Sequence, residues 1–174
     1  MYLISLYFDE KTEDRFRSYI DQIAKTTENN AMIDGNVPPH ITVSAFHTYK
    51  EETAIGIFRS VLPEITAGEV QFVSVGSFFP RVLFAGPVLN EYLHQISTSI
   101  YKEVTQYEDV VVGERTRPFA WVPHTTLGRE FSQNQLYQAF EVMQKQFSPF
   151  KGKVVRIGLA KTNPYTDIAT FVLK

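Results

Sequence analysis

His40-Ile41-Thr42-Val43 and His124-Thr125-Thr126-Leu127 are two tetrapeptides of the form His-x-Thr-apolar, and each directly follows a proline. Successive side chains of a β-strand point to opposite faces, so residues two apart share a face. In each tetrapeptide the histidine and threonine therefore face one way, while the other two residues anchor the strand from behind. Two such strands lying side by side would direct two imidazoles and two hydroxyls into one cleft.

Paired histidines can carry out phosphoryl transfer without a metal ion. Histidine has an unperturbed pKa of about 6.5, so both protonation states are available near neutrality. One neutral ring can take a proton from the nucleophile while one protonated ring gives a proton to the leaving oxygen. Threonine hydroxyls can donate hydrogen bonds to the nonbridging phosphoryl oxygens. The pattern therefore indicates His40, Thr42, His124 and Thr126 as catalytic residues.

A metal site is the competing use of two histidines. It needs further ligands, usually carboxylate or thiolate. The chain has no cysteine, which excludes disulfides and thiolate sites and fits a cytoplasmic location. We therefore expect no metal and no other cofactor.

The composition is that of an ordinary globular protein: 174 residues, 44% hydrophobic and 21% charged, with a net charge of −2. We expect no membrane span, because no apolar run approaches the roughly 20 residues required. The first eight residues lack a basic region and predict a first strand, not a signal peptide. The modest charge argues against binding to a DNA duplex.

The charge is unevenly distributed along the chain. Residues 1–112 hold 8 Lys/Arg and 15 Asp/Glu, whereas residues 113–174 hold 9 Lys/Arg and 4 Asp/Glu. One interpretation is scatter on solvated surfaces. The other is a basic wall on the C-terminal side of the cleft, suited to a phosphate-bearing ligand.

Hydrophobic periodicity predicts an α+β protein in which a β-α-(His strand)-α-β unit occurs twice. Helices are expected near residues 10–26, 51–62 and 90–106, and after a capping-box start at Ser132. Asn29 to Asn36 predicts a loop. No Pro/Gly/Ser-rich linker divides the halves, so we expect residues 1–174 to form a single domain of two interleaved lobes, each contributing one His-x-Thr strand.

The segments Pro39–Val43 and Pro123–Arg129 resemble the paired signatures of the 2H phosphoesterase superfamily, in particular its bacterial 2′-5′ RNA ligase and cyclic phosphodiesterase branch. Further similarities are Gly76–Phe79 leading to Val82–Ala85, and Arg117–Phe119 before the second motif. The resemblance covers essentially the whole chain. It implies a bilobal fold with two antiparallel sheets facing a central cleft, helices outside, and a pseudo-twofold relation between the halves.

The same resemblance implies a metal-independent hydrolase acting on 2′,3′-cyclic phosphate or 2′-5′ phosphodiester groups of RNA termini or small nucleotides. A 2′,3′-cyclic end would be opened by water to a 2′-phosphate. Our hypothesis assigns His124 as the base for water and His40 as the acid for the leaving oxygen. Two alternatives stay open: 2′-5′ RNA end joining, and a noncatalytic RNA- or nucleotide-binding module. No protein partner is inferred.

Four further residues are candidates for substrate binding. Arg129 matches the basic residue that often closes the second motif, although strict alternation turns it away from His124 unless a bulge intervenes. Phe79, Trp121 and Tyr165 are candidates for stacking a base. His47 is predicted to lie on the face opposite His40, and neither it nor His94 is given a role.

Overall fold

Strands and helices are distributed along the whole chain, and the computed structural model describes all 174 residues. The eight strands and five helices have the following bounds: β1 Tyr2–Phe8, α1 Glu10–Thr27, α2 Ala31–Asp34, β2 His40–His47, α3 Glu51–Val61, β3 Gly68–Phe78, β4 Val82–Pro87, α4 Glu91–Val104, β5 Val111–Val112, β6 Thr125–Gly128, α5 Gln133–Gln146, β7 Phe150–Lys161 and β8 Thr166–Val172. Two 3₁₀ turns lie at Leu62–Glu64 and Glu114–Thr116. No helix has the length and apolar character needed to span a membrane.

Helices α1, α4 and α5 each begin at a residue whose side chain caps the helix. The carboxylate of Asp9 accepts the N–H of Thr12 at 3.1 Å, which satisfies one of the free amide groups at the start of α1. Ser132 and Gln135 form the predicted capping box of α5. The helix α2 lies inside the segment that was predicted as a loop. It has only four residues, which is too few for hydrophobic periodicity to reveal a helix in the sequence.

The strands form one antiparallel sheet in the order β5-β2-β1-β7-β3-β4-β6, with β8 added to β7. The first half runs β1-α1-β2-α3-β3 and the second β4-α4-β6-α5-β7, with α2 and β5 as additions. The predicted α+β class and repeat are therefore confirmed. The third strands are exchanged, because β7 pairs with β1 while β3 pairs with β4.

The sheets predicted for the two halves are hydrogen-bonded into one. The start of β7 pairs with the start of β3, from Gly68 opposite Val154 to Phe72 opposite Phe150. At this junction the rings of Phe72 and Phe150 stack with centroids 5.1 Å apart, and Phe16 meets Phe72 edge-on at 4.8 Å. Such pairs add to the burial energy of the rings. An aromatic core thus joins the two halves.

The helices are exchanged in the same sense as the strands. Helix α1 packs against α5 and β6, whereas α4 packs against α3 and β2. Each helix pair therefore takes one member from each half. We propose on this basis that the halves fold as one unit.

Both His-x-Thr strands carry a one-residue bulge directly after the threonine. In β2, Thr42 lies opposite Ser5 and Ser44 opposite Ile4, which leaves Val43 as the extra residue. In β6, Thr126 lies opposite Phe84 and Gly128 opposite Leu83, which leaves Leu127 as the extra residue. A bulge of this kind shifts the alternation of the residues that follow it.

The strand β2 begins at His40. Pro38 and Pro39 have no N–H to offer the sheet, so pairing starts only after them. The bulge at Val43 also corrects the prediction for His47. It returns His47 to the face of His40, but at the opposite end of the strand, where its side chain is exposed.

Candidate active site

The two histidine rings are anchored in the same way. Nδ1 of His40 lies 2.8 Å from the carbonyl oxygen of Pro38, and Nδ1 of His124 lies 2.8 Å from that of Val122. A carbonyl oxygen only accepts, so each Nδ1 must carry the proton and donate it. This fixes the tautomer and leaves each Nε2 free to hold either a lone pair or a second proton.

The ring of Tyr7 supports the His40 ring from the neighbouring strand. The two residues are register partners, and their ring centroids are 5.8 Å apart. Tyr7 lies across Gly158 of β7, where a Cβ atom would be 2.8 Å from its Cε2. A side chain at position 158 would therefore displace the tyrosine ring on which His40 rests.

The second half repeats this arrangement with phenylalanine. The ring of Phe84 lies 5.4 Å from that of His124 and crosses Gly76, where a Cβ atom would be 2.6 Å from its Cζ. Phe78 stacks on Phe84 at 4.5 Å and meets the His124 ring edge-on at 4.8 Å. His124 thus sits in an apolar aromatic setting, whereas His40 lies beside a phenol.

The side chains of His40, Thr126, Arg129 and Tyr165 line one open cleft with a volume of about 620 Å³. His124 lines an adjoining pocket of about 490 Å³ together with Phe78 and Phe79. Thr42 faces the same side of the sheet as Ser5, with their hydroxyl oxygens 3.4 Å apart. The structure therefore brings six of the eight predicted site residues to these two cavities, and a seventh, Thr42, to the sheet face that carries His40. Trp121 is the exception.

The bulge in β6 determines which face of the sheet carries Arg129. Because Leu127 is the extra residue, Arg129 returns to the face of Thr126 and lines the same cleft. Its Nη2 donates to the carbonyl oxygen of Ala31 in α2 at 3.2 Å. The unpredicted helix α2 therefore holds this guanidinium at the rim of the cleft.

Trp121 does not offer its ring to a ligand, and the stacking prediction for it was wrong. The side chain is 6% exposed and packs in the hydrophobic core. Its Nε1–H donates to the carbonyl oxygen of Thr42 at 3.0 Å. Trp121 thus ties the segment before His124 to the strand that carries His40.

Replacing Trp121 with phenylalanine is expected to destabilise the fold by about 1–3 kcal/mol, because the partly buried Thr42 carbonyl loses the indole N–H donor. Urea unfolding would measure the change. The control is Phe119→Leu, since Phe119 is 97% exposed two residues earlier and its replacement should stay within about 0.5 kcal/mol of the parent. Equal stability of Trp121→Phe and the parent would contradict the bridging role.

The side chains of Tyr7, Tyr165 and Asp167 form a hydrogen-bonded chain, of which Tyr165 lines the cleft. The Tyr7 hydroxyl lies 3.0 Å from that of Tyr165, which lies 2.8 Å from Oδ1 of Asp167. Because the carboxylate only accepts, Tyr165 donates to Asp167 and Tyr7 donates to Tyr165. Burial raises the pKa of both phenols, so both stay protonated donors near neutral pH.

The sequence analysis missed Ser5, Tyr7 and Asp167. Ser5 and Tyr7 alternate with the core residues Ile4, Leu6 and Phe8 in β1. The hydroxyl groups of Ser5 and Tyr7, two residues apart on one face of a largely apolar strand, were the available signal. Asp167 had none, because its place depends on how β8 pairs with β7.

Burial lowers the pKa of both histidines. For His40, the hydrogen bond to Pro38 opposes this shift, the charge of His124 adds to it, and the carboxylate of Asp167 opposes it. For His124, only the hydrogen bond to Val122 opposes the effect of burial on the pKa. His40 therefore has a carboxylate that favours its protonated form, and His124 has none.

No three histidine, aspartate or glutamate side chains lie close enough together to form a metal site. The functional groups that line the two cavities are two imidazoles, hydroxyls, two guanidiniums and aromatic rings. This set can move protons, donate hydrogen bonds to an anion and stack on a planar ring.

Comparisons with known proteins agree with this arrangement. The family model described as the 2′-5′ RNA ligase superfamily matches residues 12–165. No curated protein sequence matches the chain.

Several solved structures share the fold across 99% of this chain. Escherichia coli LigT complexed with 3′-AMP superposes with a TM-score of 0.69 at 12% identity and 97% coverage of its own chain. The Thermus thermophilus protein TT0787 gives 0.62 at 16% identity and 97% coverage. Usb1 of Kluyveromyces marxianus gives 0.51 at 14% identity and 97% coverage.

Proposed function

Because the chain belongs to the 2′-5′ RNA ligase superfamily of 2H phosphoesterases, we propose that it is a metal-independent phosphodiesterase for 2′,3′-cyclic phosphate or 2′-5′ phosphodiester groups. The observation that carries the proposal is the matched pair of histidines. Each has its Nδ1 proton committed to a backbone carbonyl and its Nε2 free. A pure binding site has no need of two rings set as proton donor and acceptor.

In the proposed reaction water attacks the phosphorus of the cyclic ester. Nε2 of His124 takes a proton from water as the new P–O bond forms, the P–O3′ bond breaks, and Nε2 of His40 donates a proton to the 3′ oxygen. The product is a 2′-phosphate with a free 3′-hydroxyl. The carboxylate of Asp167 supports His40 as the acid, and the phenylalanine rings around His124 support it as the neutral base.

The remaining cleft residues suit a nucleotide. Thr42 and Thr126 would donate to the nonbridging oxygens, where negative charge must be stabilised. Arg129 would add a charged donor, while Tyr165 and Phe79 would stack on bases. The 3′-AMP in the LigT complex supports a nucleotide as the ligand class.

The test is incubation of the purified protein with 2′,3′-cyclic nucleotides and with a short RNA ending in a cyclic phosphate, in the presence of EDTA. Phosphorus NMR would identify the product, with the His40→Ala/His124→Ala double variant as control. Opening to a 2′-phosphate that is absent in the double variant is expected. Equal turnover by the double variant would contradict the mechanism.

Other outcomes of this experiment identify the alternatives. A joined 2′-5′ product, in an arm that adds RNA with a 5′-hydroxyl, would place the activity in the end-joining direction. Binding of the cyclic phosphate without turnover would support the noncatalytic module.

The pH dependence of kcat/KM is expected to be bell-shaped, with its maximum below pH 6.5. Catalysis needs one neutral and one protonated ring, and this form is most abundant between the two pKa values of the pair. Burial places both of these pKa values below the ordinary value. The free enzyme governs kcat/KM, so activity should fall as the pH rises above 6.5.

Two further results would follow from the same cause. Bound substrate carries a negative charge that favours protonated histidine, so the profile of kcat should lie at higher pH than that of kcat/KM. Asp167→Asn should move the alkaline limb of kcat/KM to lower pH, because it removes the charge that raises the pKa of His40. A kcat/KM plateau above pH 7 in the parent protein would contradict the predicted maximum below pH 6.5.

A further inference from the structure

The pocket beside His124 is distinct from the larger cleft beside His40. One wall is the turn between β3 and β4, with Phe78 and Phe79, and the other is the segment before β6, with Arg115 and Val122. Its volume of about 490 Å³ falls within the range of small-ligand sites. The ring of Phe79 is 78% exposed at this pocket. An exposed aromatic ring that lines a pocket beside His124 is available to stack on a planar ligand.

Arg115 supplies an uncommitted positive charge on the opposite wall. None of the ion pairs of the chain involves it. The 3₁₀ turn that carries it is bonded to β2, because Gly113 N–H donates to Ala45 O at 2.8 Å and Ala45 N–H donates to Thr116 Oγ1 at 3.2 Å. The backbone of Arg115 is therefore held in place, while the guanidinium of Arg115 is free to bind an anion.

The two halves of the fold also place their aromatic residues alike. Phe79 lies in the turn that follows β3, and Tyr165 lies in the turn that follows β7. The strands β3 and β7 are each the third strand of their half. The ring of Phe79 lines the cavity beside His124, and the ring of Tyr165 lines the cavity beside His40. The cavity beside His40 thus holds Tyr165 and Arg129, and the cavity beside His124 holds Phe79 and Arg115. Only the aromatic residues are related by the repeat, because both arginines flank β6.

We propose that the pocket of Phe79 and Arg115 is a second nucleoside subsite, in which Phe79 stacks on a base and Arg115 binds a phosphate attached to that nucleoside. This inference rests on the proposed phosphodiesterase function. A cyclic mononucleotide carries both ester oxygens on one ribose and so fills only one cavity. A phosphodiester that joins two nucleosides would fill both, with the phosphorus between the two Nε2 atoms.

Binding measurements test the subsite independently of turnover. Calorimetric titrations in the His40→Ala background would compare three ligands: adenosine 2′-phosphate, adenylyl-(2′-5′)-adenosine, and that dinucleotide with an additional terminal phosphate on its second nucleoside. The second nucleoside should tighten binding about tenfold, in line with stacking of one base. Phe79→Ala should remove this gain, and Arg115→Ala should remove the further gain from the terminal phosphate.

Tyr49→Ala and Arg59→Ala are the matched controls, because both residues are exposed and line neither cavity. They should preserve both gains. Equal affinity for the mononucleotide and the dinucleotide, or gains that survive in both pocket variants, would overturn the subsite. If the parent protein opens cyclic mononucleotides yet shows no gain, only the subsite fails. If no ester is turned over while the gain depends on Phe79, the phosphodiesterase function fails and the subsite stands.

Discussion

His40→Ala and His124→Ala are each expected to lower kcat on a 2′,3′-cyclic nucleotide by about 10²–10⁴-fold, the usual contribution of a positioned general acid or base. Both rings have their Nδ1 proton committed to a carbonyl, so only Nε2 can serve the reaction. Steady-state kinetics in the presence of EDTA would measure the loss. The double variant should lose little more than the worse single variant, because residues that act as a unit are not additive.

The leaving group separates the roles of the two histidines. A nucleotide ester of p-nitrophenol leaves as a stable anion and needs no proton from an acid. With this substrate His40→Ala should recover most of its lost activity, whereas His124→Ala should stay impaired because water still needs a base. Recovery of His124→Ala instead would reverse the assignment.

His47→Ala is the matched control for these variants. His47 shares a strand and a face with His40 but lies exposed at the other end. Its replacement should leave kcat and thermal stability within error of the parent protein. A loss comparable to that of His40→Ala would show that histidine replacement in β2 damages the strand itself.

Thr126→Val is expected to lower kcat by about 10²–10³-fold, as removal of one donor to a developing oxyanion does elsewhere. Valine keeps the size and branching of threonine, so β6 should retain its conformation. The expected signature is a large fall in kcat with a small change in KM, because the charge on the phosphoryl oxygens is greatest in the transition state.

The adjacent residue provides an internal control for Thr126. Thr125 points into the core, where its hydroxyl is buried without a hydrogen-bond partner. Thr125→Val should raise stability by about 1 kcal/mol, since it removes an unsatisfied polar atom, and should leave kcat unchanged. Equal kinetic losses in both variants would indicate a general disturbance of β6 and not a role for the Thr126 hydroxyl.

The alternation of the His-x-Thr segment was enough to predict that His40 and Thr42 share a face, because period two is a property of a single strand. The positions of Arg129 and His47 were not accessible in this way. They depend on bulges at Leu127 and Val43, which exist only in relation to the partner strands β4 and β1. Local sequence does not specify which residue of a strand will be left unpaired.

Burial of the aromatic residues was also beyond local reasoning. Phe79 directly precedes Pro80, and Trp121 lies two residues before Pro123. Trp121 nevertheless lies in the core, whereas Phe79 is exposed. The difference arises from tertiary packing, because Trp121 meets the Thr42 carbonyl of the other half. The exchange of third strands between the halves was equally invisible, since helix and strand periodicities say nothing about which strands pair.

The exchange of third strands between the halves affects the order in which the sheet can form during synthesis. The strand β1 pairs with β7 through contacts such as Tyr2 with Lys161, which are far apart in the sequence. Such distant pairing slows folding. During synthesis, one edge of β1 stays unpaired until β7 has left the ribosome, and an unpaired strand edge is prone to aggregation. Tyr7 in β1 supports the His40 ring and is itself the register partner of Arg156 in β7, so the support of His40 is complete only after β7 has been made.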